Sequence, residues 1–450
     1  MIHRNALKFL IQWKESKGRK PLVIRGARQV GKTTLVKEFA KLYDVFLDLN
    51  LEKPADRRLF ENYQNVHDLI TAIFFFKEKR KNSGTTLLFI DEIQFSKPAV
   101  AVLRYFYEEA NEIHVIVAGS LLETIIDVRR ISFPVGRVQY LALRPCSFLE
   151  FLNGTDRSFD MDLVQNVQVV PVVHERIIKA FHEYTLVGGM PAVITQYAEN
   201  RDILSASDIY ESLLISYRDD IEKYTKNVNM IQIIRTILSV GWAKAGEAIT
   251  FERFGSLSYS SKEIGLAFQT IQTAMLLELV YPASETQIPL LPNYRKHPKL
   301  IWLDTGLVNF QSGIQREVFS VSDIQDVWRG RIAEHVVAQE LLALTDSLLA
   351  HRIYWRRDKQ GSEAEVDFIY QHHNLAIPVE VKSGHNSKLK SLHSFMDLAP
   401  HDIAIRVWSN PFSIDELTTP NGKRFRLFNI PFYYVGVLNK IMEVFPLTKH

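Results

Sequence analysis

The chain has little cysteine, no long apolar run and little net charge, and each lack excludes something. Cys146 is the single cysteine in 450 residues, so no disulfide can form within the chain. A reducing compartment, and so a cytoplasmic location, is the expectation. Ile73-Phe74-Phe75-Phe76 is a conspicuous apolar cluster, and the charged run from Lys77 to Lys81 ends it. Nothing approaches the roughly 20 apolar residues of a membrane span, and no membrane partner is expected. Near the start, Lys14, Glu15 and Lys17 interrupt any apolar core of a secretion signal. The 54 basic and 51 acidic residues leave a net charge of only +3, so any nucleic-acid contact must come from local patches. Length and ordinary globular composition imply about two to three domains.

Against these absences stands one dense stretch. Gly26-Ala27-Arg28-Gln29-Val30-Gly31-Lys32-Thr33 fits G-x-x-x-x-G-K-[ST] without a gap. Pro21-Leu22-Val23-Ile24 before it reads as a buried strand. The residues from Thr34 to Ala40 space their apolar side chains as a helix does. Strand, glycine loop and helix together aim backbone N–H groups at an anion. The cradle is expected to run from Gly26 through Thr34, with Lys32 reaching the β- and γ-phosphates of ATP and Thr33 offering its hydroxyl to Mg²⁺.

Two further strands carry polar ends. Thr85 to Ile90 is apolar and delivers Asp91 and Glu92. Asp91 is placed for the Mg²⁺ side of the phosphates, and Glu92 to polarise an attacking water. His114 to Gly119 ends in Ser120, which reads equally as a γ-phosphate sensor or a helix cap. Val45 to Asn50 is another strand, residues 1–20 read as a helix, and residues 56–81 are helical. Such alternation implies a parallel sheet covered on both faces, with ligands at the carboxyl ends of its strands.

Residues from about 20 to 225 resemble the AAA-type P-loop ATPases of bacteria and archaea. Beyond the two nucleotide signatures, the resemblance rests on Phe133-Pro134-Val135-Gly136-Arg137, on Leu143 to Phe151, and on Gly188-Gly189-Met190-Pro191. It implies that an arginine contacts nucleotide in its own or a neighbouring subunit. Arg137 is the first candidate, with Arg129 and Arg130 as competitors. Members of this class often form rings, though the resemblance does not fix one, which makes further copies of the chain candidate partners. Residues 155–175 read as a loop or short lid connection, and the charged stretch Tyr217 to Lys223 as a solvated helix face.

From residue 228 the character changes. Ile231 to Val240 reads as a helix, and Phe251 to Phe254 as a short second one. Ser260-Ser261-Lys262-Glu263 is a capping box opening a third, with Ile264, Phe268, Ile271 and Met275 on one face. Leu279 to Pro282 reads as a strand. This pattern resembles a winged helix. Its third helix would show Lys262, Gln269, Gln272 and Thr273, a thin set of base readers, so packing against neighbouring domains is the alternative to DNA contact.

The last third reads as the strand and turn Lys299 to Leu307, a helix over 329–341, then strands at 353–357, 363–370 and 376–383. On a strand, Glu380 and Lys382 share a face while Val379 and Val381 take the other. Asp367 on the adjacent strand can share a hard cation with Glu380, and Lys382 can stabilise charge or orient a metal-activated water. Glu334 on the preceding helix can be a further ligand or partner, ahead of Glu363 and Glu365. His372, His373 and His385 read as surface residues. Helix, Asp strand and E-x-K strand resemble the PD-(D/E)XK nuclease fold, which also serves as a non-catalytic module.

The expected fold is α/β: a P-loop NTPase parallel sheet with a helical lid (1–225), a winged-helix-like segment (226–290) and an α/β nuclease-like domain (291–450). The expected function is ATP binding and hydrolysis coupled to DNA binding or Mg²⁺-dependent DNA cleavage. The alternative is a nucleotide-gated switch or scaffold with a non-catalytic nuclease-like domain.

Overall fold

The computed structural model describes residues 2–63, 65–81, 84–119, 133–168, 170–313, 315, 330–358, 364–382 and 389–445. Its first sheet has five parallel strands: β1 (Leu22–Arg25), β2 (Val45–Asn50), β3 (Thr86–Asp91), β4 (Ile113–Ala118) and β5 (Gln139–Ala142), in the order β2-β3-β4-β1-β5. Strands β3 and β4 are buried along their whole length, whereas β2, at the edge, alternates buried and half-buried residues. That difference follows the sequence, since a strand covered on both faces needs an unbroken apolar run. One face carries Leu22, Ile24, Leu87, Phe89 and Ile116 against the helices Ala6–Glu15 and Lys32–Ala40. The other carries Val23, Leu88, Ile90, Val115 and Val117 against the helices Val66–Phe76 and Lys97–Glu108.

A helical layer follows. The stretch 155–175, expected as loop, contains the helix Ser158–Gln165 and the start of the helix Pro171–Val187. Its short apolar pattern hid the first helix, and proline at the opening position of the second is compatible with helix because that N–H has no partner to lose. Phe148, Phe181 and Tyr184 meet at 4.9–5.7 Å in the core beneath.

In the middle segment, the helices Val228–Val240 and Ser261–Thr273 pack beside an antiparallel ribbon. The capping box at Ser260 and Glu263 forms in both directions. The ribbon consists of β6 (Leu277–Val280) and β8 (Lys299–Trp302), and the short β7 (Pro282–Ala283) follows β6 in the chain. The strand expected over 279–282 is thus split, β6 pairing with β8 while β7 joins another sheet. Trp302 stacks on Trp242 with ring centroids 3.9 Å apart.

The last part carries β9 (Tyr354–Arg356), β10 (Glu365–Val366), β11 (Phe368–His372), β12 (Leu375–Val381), β13 (Ile403–Trp408), β14 (Ser413–Thr418) and β15 (Arg424–Pro431). Strands β10, β9 and β7 form one sheet, and β11-β12-β13-β15-β14 a second, mixed one. The single strand expected over 363–370 therefore changes sheets at Asp367. The helices Arg331–Ala343 and Lys390–Leu398 cover opposite faces of the mixed sheet, through Val336 and Val337 on one side and Leu392, Phe395 and Met396 on the other.

A buried polar joint connects these parts. The Glu340 carboxylate accepts the Phe148 N–H at 3.0 Å and the Tyr184 hydroxyl at 2.8 Å. Asp304 accepts the Gly189 N–H at 2.5 Å and the Leu307 N–H at 3.0 Å, while Gln339 donates to Tyr184 at 2.8 Å. Burial pushes Glu340 up to about 7 and Asp304 up to about 6. Glu340→Ala leaves the buried Phe148 N–H without its acceptor, while the Tyr184 hydroxyl keeps the Cys146 carbonyl at 2.9 Å, and is expected to lower stability by about 2 kcal/mol. Denaturant titration checks this, and a change under roughly 0.5 kcal/mol would show that the joint contributes nothing.

Candidate functional site

The phosphate loop lies at the carboxyl end of β1. A Cβ at Gly26 would stand 2.2 Å from the Leu143 carbonyl oxygen, so glycine is required where the chain after β5 closes on the loop. Gly31, at φ 95°, caps the helix Lys32–Ala40 in a conformation costly for other residues. Lys32 is buried, and its ammonium donates to the carbonyls of Gly26 (2.8 Å) and Ala27 (2.9 Å). Burial depresses it to about 8, although Glu92 and Asp91 pull the other way.

Asp91 ends β3 and accepts the Thr33 hydroxyl at 2.8 Å. Its second oxygen takes the Glu92 N–H at 3.0 Å. Glu92 turns out of the strand in the left-handed region, and Gln94 donates to its carboxylate. Burial raises the Glu92 carboxyl above its ordinary range. Lys32, Thr33, Thr34, Asp91 and Glu92 line a cleft of about 720 Å³ that Ile2, Leu7, Pro191 and Ala192 also border. The polar set suits a triphosphate, and the apolar set suits a flat base. The paired hydroxyl and carboxylate of Thr33 and Asp91 are hard oxygen donors, the kind Mg²⁺ takes, so the residues fit this ion. Thr33 and Asp91 would hold Mg²⁺ there, and the ion would supply charge neutralisation for the phosphates. Glu92 then stands as the group that can hold a proton from water, once released from Gln94.

Sequence reasoning missed what holds the loop from outside. Arg4 is buried and donates to the carbonyls of Val30 (2.7 Å) and Arg144 (2.6 Å), while Glu150 pairs with it at 3.2 Å. Arg28 grips both oxygens of Asp220 at 2.8 and 2.9 Å, and the Tyr217 hydroxyl donates to the Arg28 carbonyl at 3.2 Å. The stretch Tyr217 to Lys223 is therefore no simple solvated face, because Tyr217, Asp220 and Ile221 are buried. The spacing of Tyr217, Asp220 and Ile221 on one helical stripe was the available signal. Arg137 is not brought to the cleft. It is half-buried, pairs with Glu108 at 3.0 Å and does not border the cleft. Ser120, Arg129 and Arg130 lie outside the described residues.

A second constellation sits where the ribbon meets the last domain. Glu380 and Lys382 share a strand face and pair at 2.7 Å. Asp367 accepts the Val381 N–H at 2.8 Å. Lys299 on β8, which no motif marked, places its ammonium 3.0 Å from Glu334, 3.0 Å from Glu365 and 3.5 Å from Asp367. Burial alone would depress Lys299, but these carboxylates outweigh it and hold the ammonium above the ordinary lysine range. Burial and the neighbouring Asp367 push Glu334 and Glu380 each up to about 7. Among the described residues no group of His, Cys, Asp and Glu side chains is arranged to hold a metal ion. The donors Asp367 and Glu380 are instead engaged by Lys299, Lys382 and a backbone N–H, an arrangement that does not fit a divalent cation. Glu363 and His385 lie outside the described residues.

Lys32 generates a pH prediction. Arriving phosphates surround its ammonium with negative charge and raise its pKa above about 8, so nucleotide binding near and above that pH takes up a proton. Affinity is expected to hold below about pH 8 and to fall as pH rises above it, read by calorimetry in buffers of different ionisation heat. Lys32→Ala should abolish binding and the proton uptake together. Retained tight ATP binding in that variant would remove the phosphate-loop assignment.

Residues 18–152 match the AAA domain family. Residues 178–318 and 329–419 match two families described as domains of unknown function, DUF8612 and DUF4143. No curated protein matches the chain. Among solved structures, the Walker-type ATPase PABY2304 of Pyrococcus abyssi is 13% identical, with a TM-score of 0.44 over 69% of this chain and 96% of that one. The RuvB Holliday junction branch migration motor of Thermotoga maritima is 16% identical, with a TM-score of 0.29 over 65% and 93%. The ORC1 protein of Aeropyrum pernix in complex with DNA is 12% identical, with a TM-score of 0.29 over 71% and 95%. These likenesses are loose, and the assignment rests on the loop and the family match. Among the described residues no helix is long and apolar enough to cross a membrane. The phosphate loop, the Thr33–Asp91 pair and the family match agree: residues 18–152 match the AAA domain family and carry a P-loop built to hold a nucleotide.

Proposed function

We propose that the chain hydrolyses ATP and uses nucleotide state to control DNA binding by its later parts: a winged-helix-like segment over 226–290 and a nuclease-like domain over 291–450. Lys32 and the loop Gly26 to Thr34 hold the phosphates, Thr33 and Asp91 hold Mg²⁺, and Glu92 accepts a proton from the attacking water. Arg137 serves the nucleotide of a neighbouring copy, which makes a homo-oligomer part of the proposal. The setting is the cytoplasm.

The observation that carries this reading is the turn Gly188 to Pro191. Pro191 borders the nucleotide cleft, and the Gly189 N–H is bonded to Asp304 in the following segment. A change at the cleft thus has a short, buried route to the rest of the chain. Two helices and an antiparallel ribbon support the winged-helix reading. A mixed sheet with a helix on each face supports the nuclease-like one.

A second reading, DNA cleavage, is favoured by one observation: Glu380 and Lys382 face the same side beside Asp367. One experiment separates the two. Fluorescence anisotropy with linear, single-stranded and branched DNA is run without nucleotide and with a non-hydrolysable ATP analogue, beside a cleavage assay with Mg²⁺ or Mn²⁺. The switch predicts an affinity change of roughly tenfold between nucleotide states and no cutting. Equal affinity in every state would remove the coupling. Cleavage that disappears in Asp367→Ala would establish the second reading in its place.

A further inference from the structure

We propose that Lys299 is the resident cation of the acid cluster, standing where a divalent metal would otherwise bind, and that the last domain therefore engages its partner without metal chemistry. The inference rests on the nuclease-like reading of that domain and fixes which form of it this chain has.

Lys299 is no drifting surface residue. Its side chain is 5% exposed. Its backbone is held on both sides, paired with Val280 across the ribbon and bridged to Ala248 on the other flank. The neighbouring Pro298 carbonyl accepts the Ile249 N–H at 2.9 Å. From that fixed origin the ammonium lies over the Tyr354 ring, 5.0 Å from its centre, with the Phe368 ring at 5.9 Å. An aromatic face and three carboxylates make a socket for a compact, strongly charged ammonium.

The carboxylates are correspondingly spent. Glu334 and Glu365 each give an oxygen to Lys299. Asp367 gives one oxygen to Lys299 and the other to the Val381 N–H. Glu380 gives one oxygen to Lys382. Of these carboxylate oxygens, the one that is both buried and without a hydrogen-bond partner is Oε2 of Glu380, a residue only 5% exposed. Mg²⁺ and its relatives need several oxygens in a closed shell. With Lys299 seated, each of the four carboxylates already gives an oxygen to an ammonium, three of them to Lys299 itself, and a metal would meet that fixed positive charge at their centre. With Lys299 removed, oxygens of Glu334, Glu365 and Asp367 become free around one vacated position, and Glu380 adds its unpartnered atom.

Nothing here depends on the first domain, whose own metal carboxylate can be removed. The test uses the full chain in an Asp91→Asn background without nucleotide, and follows Mn²⁺ by loss of the free-ion electron paramagnetic resonance signal. The parent is expected to show no binding that Asp367→Asn alters. Adding Lys299→Ala is expected to strengthen Mn²⁺ binding by at least roughly tenfold, and Asp367→Asn should cancel the gain. If Lys299→Ala does not fold, the double variant Lys299→Met with Glu365→Gln removes one charge of each sign and carries the same expectation. Binding in the parent that Asp367→Asn abolishes, or no gain on removing Lys299 from a folded variant, overturns the proposal. Failure to bind DNA would count against the nuclease-like reading and leave the resident cation standing.

Discussion

A buried carboxylate holds the chain's parts in one arrangement. Asp304 is wholly enclosed, yet it takes the Gly189 N–H from the first part and the Leu307 N–H from its own helix. Gln339, on the helix that opens the last domain, reaches it at 3.4 Å. A charge buried this deeply is tolerable only while those donors stay in place. The consequence is mutual dependence. The turn bordering the nucleotide cleft, the ribbon segment and the helix Arg331–Ala343 cannot shift separately without stranding that group.

Two lysines show how the molecule treats positive charge. Lys32 and Lys299 are similarly buried, and their environments displace them in opposite directions. Around Lys32 the close partners are neutral carbonyls, which accept hydrogen bonds without offsetting the lost hydration. Its site is short of negative charge, and a phosphate would supply it. Around Lys299 the partners are carboxylates of the chain itself. That site already contains the anions it needs. One lysine is an incomplete pair and the other a completed one, which separates a ligand site from an internal bond.

Much of the first domain could be read from residues alone, because its signals are local. A glycine loop between a strand and a helix, and an acidic pair at the end of an apolar run, are fixed by chain neighbours, and the structure brings Thr33 and Asp91 together as that pattern implies. The capping box at Ser260 was legible for the same reason. What escaped was non-local. Arg4 acts on a loop more than twenty residues away, and Asp220 meets Arg28 across 192 positions. Lys299 sits in a strand that reads as ordinary, and its role exists only after the ribbon docks on the last domain. The break at Asp367 was hidden too, since an alternating run does not announce that it passes from one sheet to another.

The stacked tryptophans give this arrangement an optical side. Trp302 and Lys299 lie on the same short strand, and Trp302 is pressed face to face on Trp242 while its indole N–H donates to the Gly241 carbonyl. Two indoles at that separation share their excited states. Any motion of the strand large enough to withdraw the ammonium from its socket would also part the rings. The near-ultraviolet circular dichroism of the unlabelled protein thus carries a built-in signal for whether that strand is seated.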